Sequence, residues 1–370
     1  MTRNADIIII GLGVYGSAVA RELAARGWRV VGVEQSPAHL LWGASRGPIR
    51  IVRESDPDRP WMAPLARESI ELWRTLEKTA DRPLFRATRG IVAWPDEEIA
   101  APEKQTLDWL RALEPAAVDD PLLAGLDLAR GWKTAVDGAS GLLDSRASVM
   151  ALRTDAADRG ARLLFDRQVE LSGLQPAASG VTIRAGEEIL FADKLLICAG
   201  AWAAGLPAWA GFPGLHVEPA AVNVATIQDD TPAPLDANDF LVLYGSDHRF
   251  CVLPSADGRT LQFGHFALPV TAAESASGDL KHVIRRRDLA ALRRCFPALG
   301  RLRRHSTFEG RYAVPPSGSF VLRWGSPSVA TLVACSGVGF KFAPAIARRA
   351  ALTLEGGEVP DSELRVESRP

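Results

Sequence analysis

The chain has 370 residues, 47% of them apolar, and a formal net charge of −1, enough for a large buried core and for two domains. The near-neutral balance and the lack of long like-charged blocks argue against nucleic acid or an anionic membrane as partner. No apolar run reaches the roughly 18 residues of a spanning helix, the first residues do not read as a secretory signal, and a cytoplasmic location is expected. Cys198, Cys251, Cys295 and Cys335 are widely spaced, and the six histidines show no ligand spacing. Neither a disulfide framework nor a metal site is expected.

The first elements carry the strongest signal. Residues 7–10 are a run of four isoleucines, a β-branched strand, followed by Gly11, Gly13 and Gly16 in G-x-G-x-x-G spacing, a helix over 18–26 and a second strand over 29–34 ending in Glu34. Gly11 permits the sharp turn off the strand, Gly13 lets backbone N–H groups approach a pyrophosphate, and Gly16 lets helix and strand pack closely. The helix N-terminus then presents unpaired donors to an anion. Glu34 stands where a carboxylate accepts ribose hydroxyls and would repel a 2′-phosphate. The pattern predicts dinucleotide binding and disfavours NADP, but leaves FAD and NAD both open.

Further along, residues 47–53 place Arg50 and Arg53 around two apolar residues, and residues 62–78 have the spacing of an amphipathic helix. A strand is expected over 90–94 and a helix over 107–113, with 119–138 irregular. Then come a helix over 147–159, strands over 162–169, 181–184 and 194–198, and a turn containing Ala199, Gly200 and Trp202. Short alternating runs at 221–227, 240–244, 250–253 and 260–265 read as an antiparallel sheet. A charged helix over 282–294 follows, then strands over 320–323 and 329–334, a glycine-rich turn with Gly337, Gly339 and Lys341, and a helix over 344–354. Residues after Gly356 are expected to be a solvated tail.

The interleaving predicts an α/β chain (α+β overall): a Rossmann-like nucleotide domain from residues 1–87, 139–216 and 305–370, with a sheet-rich substrate domain inserted from 88–138 and 217–304.

These motifs together resemble the D-amino-acid-oxidase-like family of flavoenzymes, in particular its monomeric sarcosine oxidase and N-methyltryptophan oxidase branch. The carriers are the Gly11–Gly16 fingerprint with Glu34, the two arginines at 50 and 53, the helix holding Trp73, the C-A-G-A-W turn at 198–202 and the S-G-V-G-F-K-F turn at 336–342. The resemblance implies a GR2-type FAD-binding domain and FAD rather than NAD. It implies oxidation of a C–N bond beside a carboxylate, with hydride transfer to the flavin. FAD contacts are then expected from Gly11, Gly13, Val14, Tyr15, Gly16, Glu34, Gln35, Ser45, Arg50, Val169, Ala199, Gly200, Trp202, Gly337, Gly339, Phe340 and Lys341. Arg53 and Lys341 match the family's carboxylate clamp, an arginine fork and a lysine point charge. Tyr312 matches a tyrosine at the substrate, and Arg50 would lie against the flavin with a catalytic role.

Three positions depart from that pattern. Gly310 stands where the family attaches its flavin through a cysteine, so the FAD is expected to be noncovalent. Gln262 stands where the family places an oxygen-activating lysine, and a neutral amide cannot stabilise developing negative charge as an ammonium does. Phe266 stands where the family has a histidine, although a slip of one residue would bring His265 there. The expected activity is oxidation of a secondary or N-substituted amino acid, with electrons passed poorly to O2 or to another acceptor. Three other readings are kept: a flavin-dependent hydroxy-acid dehydrogenase or monooxygenase, a catalytically idle FAD- or nucleotide-binding module, and an NAD-dependent dehydrogenase.

Overall fold

The computed structural model describes residues 5–54, 60–95, 108, 110–116, 132–171, 180–207, 209–228, 233–244, 249–266 and 280–368. Along the chain run β1 (Ala5–Ile10), α1 (Val14–Ala25), β2 (Val30–Val33), β3 (Ile49–Arg53), α2 (Ala63–Glu77), β4 (Phe85–Ala87), β5 (Arg89–Pro95) and β6 (Glu114–Pro115). Next are β7 (Trp132–Asp137), β8 (Ser140–Asp144), α3 (Ser145–Asp158), β9 (Arg162–Leu164), β10 (Val181–Ala185) and β11 (Glu188–Ile197). Then come β12 (His216–Ile227), β13 (Asp239–Tyr244), β14 (Arg249–Pro254), β15 (Thr260–Phe266), α4 (Leu280–Cys295) and β16 (Leu302–Val314). The last described elements are β17 (Val321–Ser326), β18 (Val329–Val333), α5 (Ala343–Leu354) and β19 (Arg365–Glu367).

Three sheets organise these strands. The first has the order β19-β17-β18-β11-β1-β2-β9, with β10 also paired to β11. Its centre is parallel: β1 lies between β11 and β2, and β18 runs parallel to β11. A parallel strand covered on both faces needs apolar side chains on both, which is why Ile7, Ile8 and Ile9 are all fully buried. Ile7 and Ile9 pack with α1, α2, α3 and α5 in the largest core cluster, whereas Ile8 packs on the opposite face with Val31, Val181 and Leu195.

The second sheet, β16-β12-β15-β14-β13-β5-β7-β6, is antiparallel except where β13 runs parallel to β5. Its Leu261, Phe263, Ala225 and Ile227 pack under Ala291, Leu292 and Cys295 of α4. β3, β8 and β4 form a small third sheet.

Several expectations are corrected by these pairings. Residues 132–137, expected to be irregular, are β7 because they pair with β5. Their alternation is too weak to show without a partner. Residues 305–314, placed with the nucleotide segments from the sequence, pair with β12 in the antiparallel sheet. The solvated tail instead ends in β19, parallel to β17, with Leu364 fully buried and Glu363 paired to Arg349 at 2.6 Å. Of the helix expected over 107–113, residues 107 and 109 lie outside the described residues, and 108, 110 and 111 are helical. Among those described, no helix is long and apolar enough to cross a membrane.

Leu364→Ala is expected to cost about 2–4 kcal/mol, the usual range for emptying a packed leucine site. Urea unfolding would show it as a lower midpoint, and an unchanged midpoint would restore the solvated tail.

Candidate flavin and substrate site

A cavity of about 690 Å³ opens at the carboxyl ends of β1, β2, β11 and β18, the edge at which parallel α/β sheets bind ligands. Gly11, Gly13, Val14, Tyr15, Glu34, Gln35, Ser45, Val169, Ala199, Gly200, Trp202 and Phe340 all line it. Of the seventeen residues expected around FAD, Gly16, Arg50, Gly337, Gly339 and Lys341 do not. Gly16 lies below the loop, where an added β-carbon would stand 1.8 Å from the Gly11 carbonyl oxygen. Only glycine allows that closeness, so its part is to seat α1 against the loop.

The fingerprint loop is braced from several sides. Glu34 accepts the Leu12 amide at 2.8 Å and both the amide and hydroxyl of Ser36, at 3.1 and 2.9 Å. The buried Arg153 donates to the Leu12 carbonyl through Nε and Nη2, at 3.1 and 2.6 Å. Ser45 receives the Val14 amide at 3.1 Å. Gly13 caps α1 with no side-chain acceptor, so the positive helix end faces the cavity as a phosphate site requires. The cradle fits a dinucleotide: glycine backbone and a helix end at one point, a carboxylate at the end of β2, and an apolar far wall at Leu332, Val333 and Phe340.

Arg50 lies behind the cavity wall at Phe340. Its guanidinium lies 5.4 Å from the Phe340 ring centroid and donates to the Ile49 and Ala44 carbonyls at 2.8 and 2.9 Å. Burial pushes its pKa down to about 10, which leaves it charged at neutral pH. Arg53, at the end of β3, is 7% exposed and donates to the hydroxyl of Tyr244, itself fully buried. Lys341 is 5% exposed, with Nζ 4.8 Å from the Phe342 ring centroid. Its carbonyl accepts the Trp73 indole N–H at 2.9 Å, which anchors the glycine-rich turn to α2. Tyr15 ties the same turn to α1 by donating to the Gly339 carbonyl at 2.6 Å. Tyr312 packs against Gly337 and hydrogen-bonds Glu218, its cross-strand partner. Burial, and then the Glu218 carboxylate, raise the Tyr312 pKa, so the phenol stays protonated.

Gln262 does something its sequence context did not suggest. It is 5% exposed, its Oε1 accepts the Ile49 amide at 3.0 Å, and its Nε2 donates to the Ile49 carbonyl at 3.0 Å. The side chain thus mimics a neighbouring strand and joins the second sheet to the free edge of β3. A lysine could donate to that carbonyl but could not accept the amide. His265, the alternative at the family's histidine position, does not share the face of Gln262. His265 points to the other face of the sheet, where Nδ1 lies 2.6 Å from Oδ1 of the buried Asp288 of α4.

At Gly310, an added β-carbon would lie 3.2 Å from the Gly43 carbonyl oxygen, so a side chain there would press on the main chain. Two thiols line the cavity, Cys198 and Cys335. Burial raises both pKa values, that of Cys335 to about 11 despite the pull of Arg50. Such thiols are poor nucleophiles near neutral pH.

The reading of the sequence missed Tyr244, Glu218 and Arg153. Tyr244 alone had an available signal. The chain has three tyrosines: Tyr15 bonds to the glycine-rich turn, Tyr244 accepts from Arg53, and Tyr312 packs against Gly337 of that turn.

Gln262→Ala leaves both main-chain groups of Ile49 buried and unpaired, at about 1–3 kcal/mol for each. Denaturant unfolding is expected to show Gln262→Ala and Gln262→Lys both destabilised, the lysine variant less. Wild-type stability in Gln262→Ala would remove the strand-mimic role.

A family model for FAD dependent oxidoreductases (DAO) matches residues 6–352. The chain is 31% identical over 225 residues to a monomeric sarcosine oxidase of Streptomyces avermitilis, covering 58% of this chain and 56% of that protein. It therefore matches only about half the length of that relative. It is 23% identical to an N-methyl-L-tryptophan oxidase of Salmonella typhi, over 97% of this chain and 96% of the other. Among solved structures, the open form of a Tyr258Phe mutant of NikD, described as an unusual amino acid oxidase, superposes with a TM-score of 0.79 at 23% identity. That match covers 97% of this chain and 96% of the other, and it establishes the fold. The chain belongs to the DAO family of FAD-dependent oxidoreductases.

Proposed function

We propose that this chain oxidises the C–N bond of a secondary or N-substituted amino acid, with noncovalent FAD as its cofactor. The observation that carries the reading is the pair of buried cations Arg53 and Lys341, set beside a dinucleotide-shaped cavity. Buried cations are costly unless hydrogen bonds and opposite charge replace the water they lose. A carboxylate on the substrate does so, and it fixes the orientation of the neighbouring C–N bond. The relatives named for sarcosine and N-methyltryptophan support an N-substituted amino acid as that substrate.

When bound, the flavin supplies the acceptor for the two electrons leaving the C–N bond. The fingerprint amides, Glu34, Ser45 and the C-A-G-A-W turn would hold its nucleotide portion. Arg50, between Phe340 and the substrate side, keeps a positive charge near the far end of the cavity. Arg53 and Lys341 bind and orient the carboxylate. Tyr244 holds Arg53 in place, and Tyr312 stays a neutral hydrogen-bonding group. The crowding at Gly310 and the protonated state of Cys335 support noncovalent attachment. Gln262, neutral and bonded to Ile49, supports slow reaction of the reduced enzyme with O2 and electron transfer to another acceptor.

The test is to acid-precipitate the purified protein and then titrate it anaerobically with sarcosine, proline and N-methyl amino acids. Yellow supernatant and bleaching by these amino acids are expected, followed by slow reoxidation in stopped flow. A yellow pellet would refute noncovalent attachment, bleaching by hydroxy acids alone would transfer the activity to that class, and no bleaching at all would leave an idle flavin module. Arg53→Ala and Lys341→Ala are each expected to weaken substrate binding by about ten- to a hundredfold, the value of one charge-assisted contact. Unchanged half-saturation in both would move the substrate elsewhere.

A further inference from the structure

Asp137 ends β7 at the short turn that leads into β8 of the third sheet, and that turn is tied to the end of β3. The Glu54 amide donates to the Ala139 carbonyl at 3.1 Å, and the Ser140 hydroxyl donates to the Asp137 carbonyl at 2.7 Å. A turn aspartate ordinarily faces water. This one is 2% exposed: its carboxylate accepts the Ala139 amide, while Oδ2 has no hydrogen-bond partner among the described residues. Burial, the largest influence, raises its pKa. Arg53 and Lys341 oppose that rise, and Glu54 adds to it. The strand register sets Ser140 of this turn opposite Arg53, so an incompletely solvated carboxylate lies in the field of the two cations assigned above to the substrate.

We infer that Asp137 is the resident counter-ion of Arg53 and Lys341, and that it takes up a proton from solvent when a substrate carboxylate docks on that pair. The inference rests on the carboxylate-binding reading above. An anion placed on the two cations offsets their field at Asp137 with its own like charge, which favours the protonated acid. The charge balances: one negative charge enters with the ligand, one positive charge enters with the proton, and the new O–H bond forms on Asp137. A dianion brings one charge more than this exchange offsets, so the site selects monocarboxylic over dicarboxylic amino acids. The sign of the pH dependence follows. Between the pKa values of free and liganded Asp137, a fall in pH strengthens binding, and outside that window the dependence is lost.

The test uses the flavin-loaded enzyme and propionate, which carries a carboxylate but no amine to titrate or oxidise. Binding is followed by the flavin absorbance change and by calorimetry in two buffers of unlike ionisation enthalpy. Wild type is expected to take up protons on binding and to tighten by up to about tenfold per unit of pH lost within that window. Asp137→Asn is expected to bind propionate without proton uptake and to gain about tenfold for succinate relative to propionate. Asp137→Glu is expected to restore the uptake. Wild-type binding with no proton uptake would overturn the inference whatever the variants do, as would equal uptake in Asp137→Asn. If wild type bound neither propionate nor any amino acid, the carboxylate-binding reading would fall first and this inference with it.

Discussion

The two hydrogen bonds between the Gln262 amide and the main chain of Ile49 join the parts of this molecule that a reaction would need together. β3 pairs with β8 along one edge only, and Ile49 points its amide and carbonyl outward from the other. Left unpaired in a buried setting, those groups would oppose docking of β3 on the antiparallel sheet. With them satisfied, Arg50 and Arg53 are held between the cavity side and the second sheet. Tyr244, from another strand of that sheet, can then reach Arg53.

The same economy of contacts governs the glycine-rich turn after β18. Trp73 of α2 holds it from below and Tyr15 of α1 holds it from the side, both through main-chain carbonyls. Lys341 is carried by this turn, so its place depends on two helices from the amino-terminal part of the chain. The site is thus assembled from segments hundreds of residues apart. No single loop contains it.

Charge is the second organising constraint. Arg50, Arg53 and Lys341 are withdrawn from water in one region, and Asp137 is the carboxylate buried beside the latter two. Arg50 meets main-chain carbonyls and an aromatic face. Buried charge survives when hydrogen bonds, partner charges or ligands replace water, and the three cations use different combinations of these. The His265–Asp288 pair, on the far face of the sheet under α4, is a separate solution to the same problem. It shows why a one-residue difference in a strand matters: neighbouring side chains face opposite sides.

The sequence by itself determined the parallel core strand, the glycine fingerprint and the closing Glu34, because these follow local rules: β-branched runs, backbone freedom and helix-end charge. It also pointed to Arg53, Lys341 and Tyr312 through the family resemblance. What only the tertiary structure decided was partnership. β7 and β19 have weak patterns of their own and exist because β5 and β17 offer them hydrogen bonds. Gln262 reads as a neutral substitution until Ile49 is seen against it. Asp137 reads as an ordinary turn acid until burial removes its water. Burial and long-range pairing depend on which segments meet across hundreds of residues, and spacing along one chain does not encode that meeting in any local pattern.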